Sequence, residues 1–259
     1  MPAGSHRTDM TQIRLRAAAV AIAAFWAASL PVLGRDAPVL VAKVADGDTL
    51  ITRDRRTIRL IGINTPERET PERPAEPLAE AAKARLIALT AGVAVRVQPG
   101  REPRDPHGRD LAYLFLPDGR EVGAILVAEG LGFAIAIPPN TEHLPAMQAA
   151  EAKARQARLG VWALPFYAPA PASTIEDDWR GRFKRIVGRV ERVVQQPHGW
   201  YLQMTPRFSL YIPRADRANF GLAPERLAGK TIEARGWLGG GRRMKMTVRH
   251  SAMLTVLNR

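Results

Sequence analysis

The sequence predicts a mainly β chain with added helices. This is an α+β architecture, in which a small Greek-key barrel carrying helices on its outside is followed by a second small all-β module. Three observations carry this. Short runs that alternate apolar and polar residues, separated by Gly, Pro and Asp turns, dominate the chain. In the first part strands come before helices, with one helix between the third and fourth strands. A Pro/Ala stretch, ALPFYAPAPAST at 163–174, separates two regions of unlike charge.

In chain order, Arg14 and Arg16 precede AAAVAIAAFWAASLPVLG, residues 17–34. A basic flank followed by a short apolar run, with Val32 and Gly34 at the −3 and −1 positions, reads as a cleaved secretory signal. An uncleaved membrane anchor is the second reading, because about 17 apolar residues is marginal for a span, and a buried core helix is the third. Val39–Val44 reads as a strand and ADGDT as a tight turn, Gly47 supplying backbone freedom. Leu50–Thr52 and Thr57–Ile63 read as a hairpin, and PERETPERPAEP (66–77) as a loop. A helix is expected over Leu78–Leu89, with Leu78, Ala82, Leu86 and Leu89 on one face. Val93–Val97 is a strand, REPRDPHGRD a loop and LAYLFL a strand. Glu121–Glu129 is a short helix closed by Gly130, and a longer one, capped by Thr141, runs to Leu159. Beyond a linker at 163–178, residues 179–259 alternate in strand fashion, and an OB-like barrel is the best match.

Composition narrows function. With no cysteine among 259 residues, disulfides and Cys-based zinc sites are excluded, and the five histidines show no ligand spacing. The last region, Trp179–Arg259, holds 17 Lys and Arg against 4 Asp and Glu, the whole net charge of +13. A basic solvated surface would look the same, but confinement to one module favours an anionic polymer as partner. Its aromatics interleave with arginines, as in GWYL and RFSLYI, although Trp200, Phe208 and Trp237 each also read as core.

Chemistry-bearing residues cluster in three motifs: DGDT at 46–49, IRLIGINTPE at 58–67 and DPHGRDLAYLF at 105–115. Asp46 and Asp48 flank a glycine, which lets both carboxylates face one point or simply shapes a turn. Arg59 interrupts an apolar run and so points to the other side of its strand, either exposed or as one arm of a guanidinium clamp on phosphate. Arg109 sits in a Gly-containing loop, where pairing with Asp105 or Asp110 is the plain alternative. Tyr113 reads as core rather than site.

Together and in this order, with RLGVW at 158–162 closing the stretch, the motifs resemble the staphylococcal nuclease (thermonuclease) family over residues 39–162. The resemblance implies a five-stranded OB-type Greek-key barrel with three helices, and calcium-dependent hydrolysis of phosphodiester bonds in DNA and RNA. It implies Asp48 as a direct calcium ligand, Asp46 as an outer-sphere one, and Asn64 and the Thr65 carbonyl as further oxygen donors. It implies Arg59 and Arg109 as the phosphate clamp, Glu67 as the base that positions water, and His107 as a weak substrate contact. Asn64 departs from the family, where aspartate is common; losing one negative charge lowers the expected calcium affinity. The reading is therefore an exported, monomeric nuclease with a basic nucleic-acid-binding tail and no membrane attachment once the signal is cleaved. The alternatives are a weak or inactive nuclease-like module that only binds nucleic acid, and an envelope scaffold meeting anionic lipid or polysaccharide. The intact Arg59, Glu67 and Arg109 set favours the first.

Overall fold

The computed structural model describes residues 1, 38–241 and 243–257. The expected signal or anchor at 1–34 therefore lies, after its first residue, outside the described residues. Among the described residues no helix is long and apolar enough to cross a membrane.

The first half runs β1 (Val39–Val44), β2 (Thr49–Thr52), β3 (Thr57–Leu60), β4 (Ile63–Asn64), α1 (Ala79–Thr90), β5 (Ala94–Arg104), β6 (Asp110–Phe115), α2 (Val122–Ala128), β7 (Phe133–Ala134) and α3 (Leu144–Gln156). Five strands close a barrel in the order β1-β2-β3-β6-β5. The β3–β6 pair is parallel and the other ladders are antiparallel. Alternation puts Leu50, Ile58, Val95, Val97 and Leu114 into the interior, with Leu86, Leu126 and Met147 of the three helices covering it.

Three local readings change. The strand expected to reach Ile63 breaks after Leu60, because Gly62 takes a left-handed backbone (φ 84°). Ile63–Asn64 leaves the barrel there and pairs with β7 instead. The loop expected over 101–110 is shorter, since β5 runs to Arg104; a register shift between Pro99 and Arg104 absorbs prolines that cannot donate to a regular ladder. Thr141 does not cap α3, which starts at Leu144 with Pro145 in its first turn and His143 at the cap position.

A polar cluster lies under α2. Glu121 is buried, its Oε1 has no partner among the described residues, and its Oε2 lies 3.7 Å from His143 Nδ1. Burial pushes the Glu121 carboxyl up to about 7. A carboxyl whose native value is raised binds its proton more tightly folded than unfolded. Its contribution is fully present below its ordinary value of 4.5 and is lost as pH rises through about 7. Glu121→Gln should therefore gain stability relative to the parent between these pH values, by up to about 3 kcal/mol at neutral pH. Urea unfolding at pH 5 and pH 8 measures it; an equal offset at both would rule out titration of Glu121.

The second region is all-β apart from short 3₁₀ segments. It comprises β8 (Ala170–Pro171), β9 (Phe183–Arg189), β10 (Arg192–Gln196), β11 (Gly199–Gln203), β12 (Phe208–Pro213), β13 (Thr231–Gly239), β14 (Met244–Thr247) and β15 (Leu254–Val256). Its strand order is β10-β11-β12-β14-β13-β9-β8, with β15 also on β13. β9 and β10 are separated only by Val190 and Glu191, whose N–H groups donate to the carbonyls of Lys230 and Gln203, so one bent stretch pairs with β13 through its first half and with β11 through its second, the connectivity that the OB-like reading expects.

Residues from 38 onward pack as one compact unit. Ile135 and Ala136 share a core with Ile186, Leu210 and Met253. Arg235 reaches both oxygens of Glu151 at 2.7 Å, with both side chains largely buried. The 163–178 segment is itself tied down. The Tyr167 hydroxyl donates to the Pro77 carbonyl at 2.5 Å, and β8 lies parallel to β9.

Candidate active site

The 45–49 turn is built around Asp46, whose Oδ1 accepts from the Asp48 N–H at 3.1 Å. At position 47 a Cβ would lie 2.7–2.8 Å from Ala82 and Thr65, so only glycine lets Thr65 approach this closely. Thr65 uses that approach. Its N–H and its hydroxyl both donate to Asp48 Oδ2 at 3.0 Å. Arg59 Nη2 meets the same oxygen at 3.0 Å, while Arg59 Nη1 donates to the carbonyls of Leu60 (2.6 Å) and Ile63 (2.9 Å). Among the described residues Asp48 Oδ1 accepts only the Thr49 hydroxyl, at 3.2 Å.

Asn64 reaches this place because β4 pairs with β7. It is buried, and its Oδ1 has no hydrogen-bond partner among the described residues. A buried amide oxygen without a donor is costly unless something electropositive meets it. The neighbouring carboxylates tell the same story. The Asp46 carboxyl is raised by burial and then by repulsion from Asp48. Glu67 is pushed up to about 7 by crowding of its carboxyl away from water, then by repulsion from Asp48, Asp46 and Glu76, with Arg59 opposing. Among the described residues no three Asp, Glu or His side chains could enclose an ion by themselves. Any cation here needs the Asn64 amide and backbone oxygens as well, and these donors suit a hard ion such as calcium.

Arg109 is held from below by Asp105, which accepts its Nε at 2.6 Å and its backbone N–H at 3.0 Å. The Asp105 pairing foreseen as the alternative for Arg109 is thus present. It uses one guanidinium edge and leaves both Nη groups without a protein acceptor among the described residues. Arg59, His107 and Arg109 line one cavity of about 360 Å³. Glu67 lines a different concavity, with Arg68, Arg73 and Gly181, and is joined to the first group by charge rather than by contact. The structure therefore brings together Asp46, Asp48, Arg59, Asn64 and Thr65, with His107 and Arg109 across the same cleft and Glu67 at its side. Sequence reasoning did not find Trp237 and Arg249, which line the same cavity from the second region. Their only local signal is a mixed aromatic and basic composition.

Residues 57–164 match the family described as staphylococcal nuclease homologue. The chain is 37% identical over 127 residues to the thermonuclease of Staphylococcus intermedius, covering 48% of this chain and 74% of that protein. It is 31% identical to the thermonuclease of Staphylococcus hyicus, covering 47% and 73%. It is also 31% identical to an uncharacterized endonuclease of Escherichia coli, covering 52% and 82%. Everything after residue 164 lies outside the family match.

Proposed function

Because the chain belongs to the staphylococcal nuclease homologue family, we propose that it hydrolyses phosphodiester bonds of DNA, RNA or both, with calcium bound beside Asp48. The single observation that carries this is the shared cleft of Arg59 and Arg109 next to the Asp48–Thr65–Asn64 cluster. Asp48, the Asn64 amide oxygen and the Thr65 carbonyl would hold the ion, with Asp46 behind Asp48. Bound there, it would neutralise charge on the phosphate oxygens.

The chain's own residues do the rest. Arg109, its Nη groups unused, donates to the non-bridging oxygens, where charge grows as the new bond forms. Arg59, already anchored to two carbonyls and to Asp48, gives a fixed positive edge that costs no reorganisation. Glu67, when ionised, accepts a proton from the attacking water; the water oxygen bonds to phosphorus as the bond to the leaving oxygen breaks. The leaving oxygen takes its proton from solvent. His107, exposed at the cleft, is a further substrate contact.

The basic C-terminal region supports nucleic-acid affinity through phosphate contacts, which makes binding salt-dependent. The apolar segment at 17–34 supports export. Single-stranded DNA, incubated with protein beginning at Arg35 in calcium and in EDTA, tests the reading. Cleavage in calcium alone is expected. Binding without cleavage at millimolar calcium would mean that Asn64 marks a lost metal site and that the chain only binds nucleic acid.

Asn64→Asp should restore the missing charge and tighten calcium binding by about tenfold or more. In EDTA the same variant should be less stable than the parent, since it buries another anion next to Asp48. Calorimetric titration with calcium and thermal unfolding with and without EDTA read the two effects; unchanged affinity would remove Asn64 from the ligand set.

A further inference from the structure

We propose that the C-terminal module forms one wall of the catalytic cleft, with Trp237 and Arg249 completing a subsite for a nucleotide of single-stranded nucleic acid beside the phosphate held by Arg59 and Arg109. This rests on the nuclease reading and goes past it, because the module then takes part in substrate placement rather than acting as a tethered source of affinity.

The placement of Trp237 follows from the alternation of β13. Ile232, Ala234 and Leu238 point into the core of the second sheet. The residues between them point the other way. Two of these are fixed by ion pairs: Glu233 to Arg185 at 2.8 Å, and Arg235 to Glu151 of α3 at 2.7 Å. Trp237 is the next residue on that face, and it lines the cavity that holds Arg59 and Arg109.

An aromatic chain fixes it further. Trp237 meets Phe183 edge-on at 5.1 Å, and Phe183 stacks on Phe133 at 5.5 Å. Phe133 is the β7 partner of Asn64. The cleft wall and the cation cluster are thus joined by consecutive packed or paired residues. Arg249 is held by Asp216 through Nε at 2.8 Å and Nη2 at 3.2 Å, which aligns a guanidinium on the same rim.

The lining has the composition a nucleotide needs. Leu60, Leu111 and Ile135 give an apolar floor, Trp237 is only partly buried and can offer a stacking surface, and arginines flank both sides. Inorganic phosphate alone would have no use for the apolar part. The volume of about 360 Å³ lies within the range of small-ligand clefts, roughly 300–1,000 Å³.

The test uses the full chain and single-stranded oligonucleotides lengthened one nucleotide at a time. Trp237→Ala should raise KM about 5- to 100-fold, the loss of one base–aromatic stack, with a much smaller change in kcat. It should also abolish the gain in affinity that one added nucleotide gives the parent. Trp237→Phe should restore most of both, and it guards against a variant that fails to fold. Arg249→Lys keeps the charge but gives up the two-pronged pairing with Asp216, and should give an intermediate KM. In parallel, fluorescence anisotropy of a labelled oligonucleotide in EDTA reads binding without turnover. If the parent binds but never cleaves, and Trp237→Ala weakens binding, the subsite stands while the nuclease reading falls. If folded Trp237→Ala matches the parent in KM and in binding, the subsite is overturned and the nuclease reading is untouched.

Discussion

Asp48→Ala should destabilise the chain by about 3–5 kcal/mol and end calcium-dependent cleavage, while Asp48→Asn should end cleavage at a much smaller cost in stability. One oxygen of Asp48 receives the Thr65 N–H, the Thr65 hydroxyl and Arg59 Nη2, all at 3.0 Å. Both partners of the ion pair are nearly out of solvent, at 9% exposure for Asp48 and 13% for Arg59. Removing the carboxylate leaves a buried guanidinium and two buried donors unanswered, and this uncompensated burial dominates the cost. An amide of the same shape still offers one acceptor oxygen, so the asparagine variant keeps part of the network but loses the charge a cation requires. Urea unfolding in EDTA separates the two, because no metal contributes there. An alanine variant within about 1 kcal/mol of the parent would show that this network does not organise the site.

The same network shows what could be read from the sequence. The barrel strands were legible as short apolar runs between turn residues; a period of two survives at the start of β5, where Val95 and Val97 are buried between exposed neighbours, whereas β6 is buried on both faces and reads only as an apolar run. The candidate site was legible because its residues sit at the ends of those strands in three short motifs, so local order already places them near one another. What was hidden depends on distant contacts. The break after Leu60 was hidden because Ile61 and Ile63 are apolar either way; only pairing with Phe133–Ala134 shows that Ile63 belongs to another ladder. The long β5 was hidden by its prolines, which signal a loop locally but sit in a register shift. The wall formed by Trp237 and Arg249 needs the whole docking of the second sheet, held by Arg235–Glu151 and Phe183–Phe133, and no local period carries that. The Pro/Ala stretch reads as a spacer by composition, yet Tyr167 anchors it to Pro77.

Glu67→Gln should lower kcat by about 10²–10⁴-fold, the range for losing a positioned general base. It should leave the fold nearly unchanged. Glu67 is exposed, and its side chain accepts no hydrogen bond within the protein among the described residues, so the substitution opens no cavity and leaves no buried donor unpaired. Its carboxyl is also repelled by Asp48, Asp46 and Glu76. A neutral amide relieves that repulsion, so stability in EDTA should be equal to or slightly above that of the parent. This combination separates chemistry from architecture, because Asp48→Ala loses both together. Calcium affinity should hold as well, since the donors assigned to the ion are Asp48, Asn64 and Thr65. Single-turnover cleavage of single-stranded DNA at saturating calcium measures the chemical step, and titration calorimetry measures the ion. A rate within tenfold of the parent would mean that water is activated elsewhere, and the place of Glu67 in a concavity apart from Arg59 and Arg109 would then be its real address.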